Sequence, residues 1–188
     1  RVLFRSAEFF VTEDNLINDT GLSAPPTIAD YQTITHGNAA AGNAWVTTNP
    51  NGAGDFYLGA TPPTVVFEMG FDQLYRFSDF VFWGYHFGAG NGNEARAFTV
   101  EFSTNGGASF GSSVNVEQPL GSLAVFNSAT LSFGGAFTAD TVRVTITDNQ
   151  GGGGPAGGDR LGLGEVKFIG TAVPEPSSAL LGAVTLLG

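Results

Sequence analysis

The sequence predicts an all-β protein: an antiparallel jelly roll or β-sandwich of about eight strands, followed by a short C-terminal tail. Three observations carry this. Apolar residues alternate with period two, no segment keeps an i, i+3, i+4, i+7 pattern over three turns, and clusters of Gly, Asn, Asp and Ser punctuate the alternating runs. Strands with one wet and one dry face bury the dry face by packing sheet on sheet.

Taken in order, "AEFFVT", "ADYQTIT" and "TVVFEMG" supply the first three candidate strands. "LYRFSDFVFWGYHF" follows and is different, because Phe80, Phe82 and Tyr85 with Val81, Trp83 and Phe87 put bulk on both sides. It reads either as a central strand buried on both faces or as a strand leading into a binding rim. In "RAFTVEFS", Phe98, Val100 and Phe102 oppose Ala97, Thr99, Glu101 and Ser103, so one face is dry. "LAVFNSATLSF" is next. In "TVRVTITD", Val142, Val144 and Ile146 oppose Thr141, Arg143, Thr145 and Thr147 in the same way, and "GEVKFIG" closes the series. Between the strands lie "NPNGAGD", "GAGNGNE", "TNGGAS" and "GGGGPAGGDR", rich in residues that tolerate positive φ.

At 188 residues the chain fits one domain with a core of its own. The expected organisation is a non-native remnant at 1–6 ("RVLFRS", which resembles translated adapter sequence), a sandwich at 7–171 and a tail at 172–188. Aromatics make up 12% of the residues, 17 of them Phe, enough for a core despite 28 Gly. Charged residues are only 13%, so Asn, Thr, Ser, Gln and Gly must carry much of the surface.

The formal charge of −10 and the lack of any Lys/Arg cluster argue against nucleic acid as a partner. The absence of Cys removes thiol catalysis, Cys-ligated zinc and disulfides together. His36 and His86 are the only imidazoles, and no G-x-S-x-G, H-E-x-x-H or P-loop motif occurs. An enzyme therefore ranks below a binding or structural protein. "TEDNLINDTG" and "GGGGPAGGDR" offer oxygen ligands for a hard cation, but neither follows a calcium-loop spacing or repeats, so both read as turns and loops. Sparse charge, many amides and an aromatic strand beside "GAGNGNE" suit sugar recognition, in which rings stack on pyranose C–H faces and amides bond to hydroxyls. The candidate ligand-binding residues are Trp83, Tyr85, His86, Asn91 and Asn93, with a polysaccharide as the expected ligand.

The terminal "VPEPSSALLGAVTLLG" resembles the PEP-CTERM sorting signal of exported bacterial proteins, with Val173, Pro174, Glu175, Pro176, Ser177 and Ser178 forming the motif box. That family's signal continues into a longer helix and a basic cluster, so the tail reads as truncated. The resemblance implies an exosortase as partner, a precursor transiently anchored in the inner membrane, and release to the cell surface or extracellular matrix. Pro174 and Pro176 keep the box extended.

The body is similar to the discoidin, or coagulation-factor type C, family of galactose-binding-like jelly rolls. "HGNAAAGNAW", "PPTVVFEMG", "RAFTVEFSTNGGASF" and "LGLGEVKFIG" match its successive motifs in order. The resemblance implies a structural calcium, with Glu165 as its closing-strand carboxylate and Asn38 in the loop after His36, although His36 stands where the family has Asp. The combined reading is an exported, non-catalytic protein that binds carbohydrate or matrix polymer. A structural surface or biofilm-matrix protein without a discrete ligand site is the alternative, and a glycan-active enzyme ranks third.

Overall fold

The computed structural model describes residues 13–47, 56–57, 64–153 and 156–175. Six strands form one continuous hydrogen-bonded sheet in the order β1-β6-β2-β5-β3-β4: β1 Trp45–Val46, β2 Val65–Gly84, β3 Ala95–Ser103, β4 Ser112–Glu117, β5 Ser128–Asn149 and β6 Gly162–Ala172. Every strand pair is antiparallel.

Two of the strands are too long for one layer. β2 has 20 residues and β5 has 22, and they pair with each other along nearly their whole length. Their register breaks between Gly70 and Tyr75, where the ribbon turns a corner. Beyond the corner, residues 75–84 of β2 and 128–139 of β5 join β6 and β1 in one layer. Residues 65–70 and 141–149 join β3 and β4 in the other. The layers face each other through rings, Phe98 of β3 standing edge-on to Phe80 of β2 at 4.9 Å and tilted against Phe82 at 5.3 Å. Each fully buried aromatic or aliphatic side chain contributes about 1.5–3 kcal/mol. Phe77, Phe80, Phe82, Phe98, Val100, Val142, Val144 and Ile146 are all buried in this core.

The alternation read in β3 and in residues 141–148 therefore points the way the sequence implies. Strand boundaries differ from the expected ones for local reasons. "TVVFEMG" fuses with most of "LYRFSDFVFWGYHF" into β2, and the end of "LAVFNSATLSF" fuses with "TVRVTITD" into β5. Phe126, at φ 65, keeps β5 from starting before Ser128. "ADYQTIT" forms turns rather than a strand, because Asp30 Oδ1 accepts both the backbone N–H and the hydroxyl of Thr27 at 2.7 and 2.8 Å, a local bond that competes with sheet pairing. "AEFFVT" lies outside the described residues. β4 has few apolar residues to announce it, as suits an edge strand.

β6 runs through Ala172, paired with Tyr75, and the Val173 N–H donates to the Leu74 carbonyl at 2.9 Å. The sheet thus extends one residue past the expected boundary at 171. Pro174 and Glu175 are exposed, while Pro176, Ser177 and Ser178 lie outside the described residues.

Candidate functional site

The connections 36–44, 85–94 and 118–127, with 150–153 and 156–161, gather at one end of the sandwich, where β2 ends and β3, β5 and β6 begin or end. Backbone bonds knit them together: His36 to Phe126, Ala39 to His86, Gly84 to Ala124, and Gln150 to Glu94. Glycine-rich loops leave many backbone groups needing partners, and buried side chains supply them here. Asn93 Oδ1 accepts from the N–H groups of Gly158 and Arg160, and Asn149 Nδ2 donates to the carbonyls of the same two residues. Gln150 Oε1 accepts from Gly121 N–H at 2.8 Å, while its Nε2 donates to the carbonyls of Pro119 and Ser122.

Glu94 completes this frame. It is 0% exposed, and Oε1 accepts from Ala124 N–H at 2.8 Å, while Oε2 is buried without a partner. Burial raises its pKa from 4.5 to about 8, against the smaller opposing effect of the Ala124 bond. A Cβ at position 84 would lie 2.2 Å from Oε2, so this approach of strand to carboxyl requires Gly84.

The five residues expected to line a rim are brought together here, but Trp83, Tyr85, His86 and Asn93 lie beneath the surface and only Asn91 is partly exposed. Trp83 is 0% exposed, enclosed with Ile34 and Val81, and its Nε1–H donates to the Ile34 carbonyl at 2.9 Å. Tyr85 packs among Ala44 and Val46. His86 is buried, with Nε2–H donating to the His36 carbonyl at 3.1 Å and Nδ1 accepting from Gly88 N–H at 3.3 Å. Asn93 is committed as above, and half-buried Asn91 accepts from Asn93 N–H at 2.9 Å. Their expected rim placement is corrected to support of the loops: an enclosed indole presents no face for a sugar, and β2 is buried on both sides at Trp83.

The rings that do reach solvent are Phe87, 47% exposed, and Phe126, 42% exposed. Each leans on a buried ring, Phe87 edge-on to Tyr85 at 5.1 Å and Phe126 edge-on to His86 at 4.5 Å. Rigid rings present a face at low entropic cost. Asn38 is exposed nearby, its Nδ2 3.7 Å from the position of a Cβ on Gly88, while its Oδ1 accepts from Ala40 N–H at 2.9 Å. The amide thus keeps a donor next to the Phe87–Gly88 turn. The sequence does not mark Phe87 and Phe126 as exposed, because each stands at the end of an apolar run that looks like core.

The implied calcium does not fit the residues present. Among the described residues no group of three or more His, Asp or Glu side chains gathers. Glu165 is 0% exposed, and its Oε1 lies 2.8 Å from the Lys167 ammonium while Oε2 accepts from Asp19 N–H at 3.0 Å. Burial pushes its pKa up to about 7, with the Lys167 hydrogen bond pulling the other way. Lys167 also meets Asp19 Oδ1 at 2.7 Å, and the two carboxylates outweigh burial to hold its pKa above the usual value. A tethered cation already serves the carboxylate. Asn38 Oδ1 caps the 3₁₀ turn Ala39–Ala41 instead, and the His36 ring fills the space against Gly21 and Gly164, its pKa lowered by burial.

No family model matches the chain, and no curated protein sequence matches it. Among solved structures the chain is similar to the lectin domain of lectinolysin complexed with Lewis B antigen, at 11% identity over 92% of this chain and 93% of that one, with a TM-score of 0.55. A Streptococcus pneumoniae fucose binding module matches at 13% identity over 90% of this chain and 89% of that one, with a TM-score of 0.51. The chain shares the discoidin-like sandwich of these modules. The structure of the CBM32-1 and CBM32-2 domains from Clostridium perfringens ZmpB also matches, at 12% identity and a TM-score of 0.53, over 89% of this chain and 33% of that one.

The buried carboxyl at position 94 gives the fold a pH dependence. A group whose pKa is about 8 when folded and near 4.5 when unfolded holds its proton more tightly in the folded chain. Its favourable contribution is complete below pH 4.5 and is lost as pH rises to about 8. Urea unfolding of the wild type should show this downward slope, and Glu94→Gln, which keeps the shape without the ionisation, should make it shallower, leaving the part that the raised pKa of Glu165 contributes. A variant that follows the wild type across the window contradicts a buried, protonated Glu94.

Proposed function

We propose that this protein is an exported, non-catalytic carbohydrate-binding module whose ligand rests on the loop end, on Phe87 and Phe126 with Asn38 beside them. The observation that carries the reading is the exposure of two buttressed rings at this end of a sandwich shared with modules whose described ligands are fucose and the Lewis B antigen. Asn38, Gly88, Ala89 and Asn127, the exposed residues beside the rings, carry no charge, which suits hydroxyl groups better than charged ligands. Trp83, Tyr85, His86, Asn91 and Asn93 serve the same site from below, fixing the loops so that the rings lose little entropy on binding.

The delivery part of the proposal rests on the tail motif. Val173 to Ser178 would present an extended, proline-held box to an exosortase, after which the module would reach the cell surface or the polysaccharide matrix. Exposure of Pro174 and Glu175 beyond β6 supports access to the box. No helix among the described residues is long and apolar enough to cross a membrane. The alternative, a structural matrix protein with no discrete ligand site, draws on how thoroughly the loop end is sealed by its own side chains.

A glycan array separates the two. The wild type should retain a restricted set of neutral glycans, and Phe87→Ala or Phe126→Ala should weaken retention about tenfold with little change in melting temperature, as expected for loss of a stacked ring. A folded wild type that retains no glycan favours the structural reading. For delivery, an exosortase-bearing host should place the protein at its surface, whereas Glu175→Ala with Pro176→Ala should leave it in the membrane fraction. Equal surface display of the two would remove the sorting role.

A further inference from the structure

A second concave surface lies away from the loop end, on the outer face of the layer containing β6. Two hollows of about 190 and 300 Å³ run together there, sharing Ile28, Ile169 and Gly170. Ile28 is 70% exposed, the most exposed of the large apolar side chains among the described residues. One hollow reaches Tyr31 and the stem of Lys167, and the other ends at Arg76, Ser78 and Thr171.

Arg76 sets the chemistry of this groove. Arg96 is paired with Glu117 and Asp148, Arg143 with Glu68 and Glu101, Arg160 with Asp159, and Lys167 with Asp19 and Glu165. Among the described residues, exposed Arg76 alone of the basic side chains has no acidic partner. Asp79, the nearest acid following it on β2, accepts the Ser78 hydroxyl at 2.6 Å instead. In a chain of net charge −10, a free guanidinium at the end of an apolar trough is a local exception. Arginine presents a planar fork that matches a carboxylate in bidentate fashion, while isoleucine side chains offer a surface for the C–H face of a pyranose. The overall negative charge opposes an acidic polymer at a distance, but at physiological salt that field is screened beyond about 8 Å.

We propose that this groove binds a carboxylated sugar unit, the carboxylate on Arg76 and the ring's C–H face on Ile28 and Ile169. The proposal rests on the carbohydrate-binding reading and adds a subsite for acidic saccharide, separate from the loop end. Thr171 and Tyr31 stand at either end of the groove to meet hydroxyls of the same or the next unit.

The test is calorimetric titration of the whole chain with a short oligogalacturonate and with the neutral galacto-oligosaccharide of equal length. The acidic ligand should bind more tightly, and Arg76→Gln should weaken it about tenfold or more, as expected for a lost charge-assisted pair. Ile28→Ser should weaken both ligands by a smaller factor. Phe87→Ala should leave oligogalacturonate binding unchanged, which separates this groove from the loop end. Equal affinity for the acidic and neutral ligands, or an Arg76→Gln variant that binds oligogalacturonate as the wild type does, overturns the proposal even where Phe87 still governs neutral glycans. Loss of oligogalacturonate binding in Arg76→Gln supports it even where no glycan depends on Phe87. All three substitutions are at exposed positions, and unchanged melting temperatures would show that any loss is local.

Discussion

The pairing of β2 with β5 is the constraint on which the rest of the structure depends. Because one hydrogen-bonded ribbon turns the corner and contributes to both layers, the two sheets cannot slide against each other without breaking its register. That register places Phe80 and Phe82 against Phe98 and fixes where β2 ends, at Gly84. Every connection at the loop end is anchored to a strand whose position this ribbon dictates.

The loops themselves are held by a different principle. Glycine-rich connections have few apolar side chains with which to pack, so Asn93, Glu94, Asn149 and Gln150 are turned inward to satisfy their backbones. Buried polar groups of this kind add specificity when their bonds are made and cost stability when they are not. The exchange leaves the outer surface of the loop end with few charges and two supported rings. The groove on the outer face has the opposite character: an apolar floor and one unpaired cation.

Much of the fold could be read from the sequence because period-two alternation reports directly on burial. Phe98, Val100 and Phe102, and Val142, Val144 and Ile146, point inward as their spacing implies. The site was less legible, because alternation says which side chains share a face and not what later covers it. Trp83 and Val81 face away from the main core, and the chain around Ile34, some fifty residues earlier, helps to enclose them together with Leu22 and Ile169. Trp83 therefore became interior while Phe87, past the end of the strand, stayed in solvent. The same limit applies to charge. That Lys167 would be taken up by Asp19 and Glu165, and Arg76 left unpaired, depends on which loops lie over β6, and spacing along the chain carries no record of that.

The central claim is that the loop end, framed by the β2–β5 ribbon and carrying Phe87 and Phe126, is the face that meets neutral sugar. Chemical-shift mapping of the isotope-labelled domain during titration with a fucosylated oligosaccharide tests it most directly. The account predicts that the largest perturbations fall on Asn38, Phe87, Gly88 and Phe126 and weaken toward the corner at Gly70. Perturbations centred on the corner or on β4, with the loop end unmoved, would contradict it.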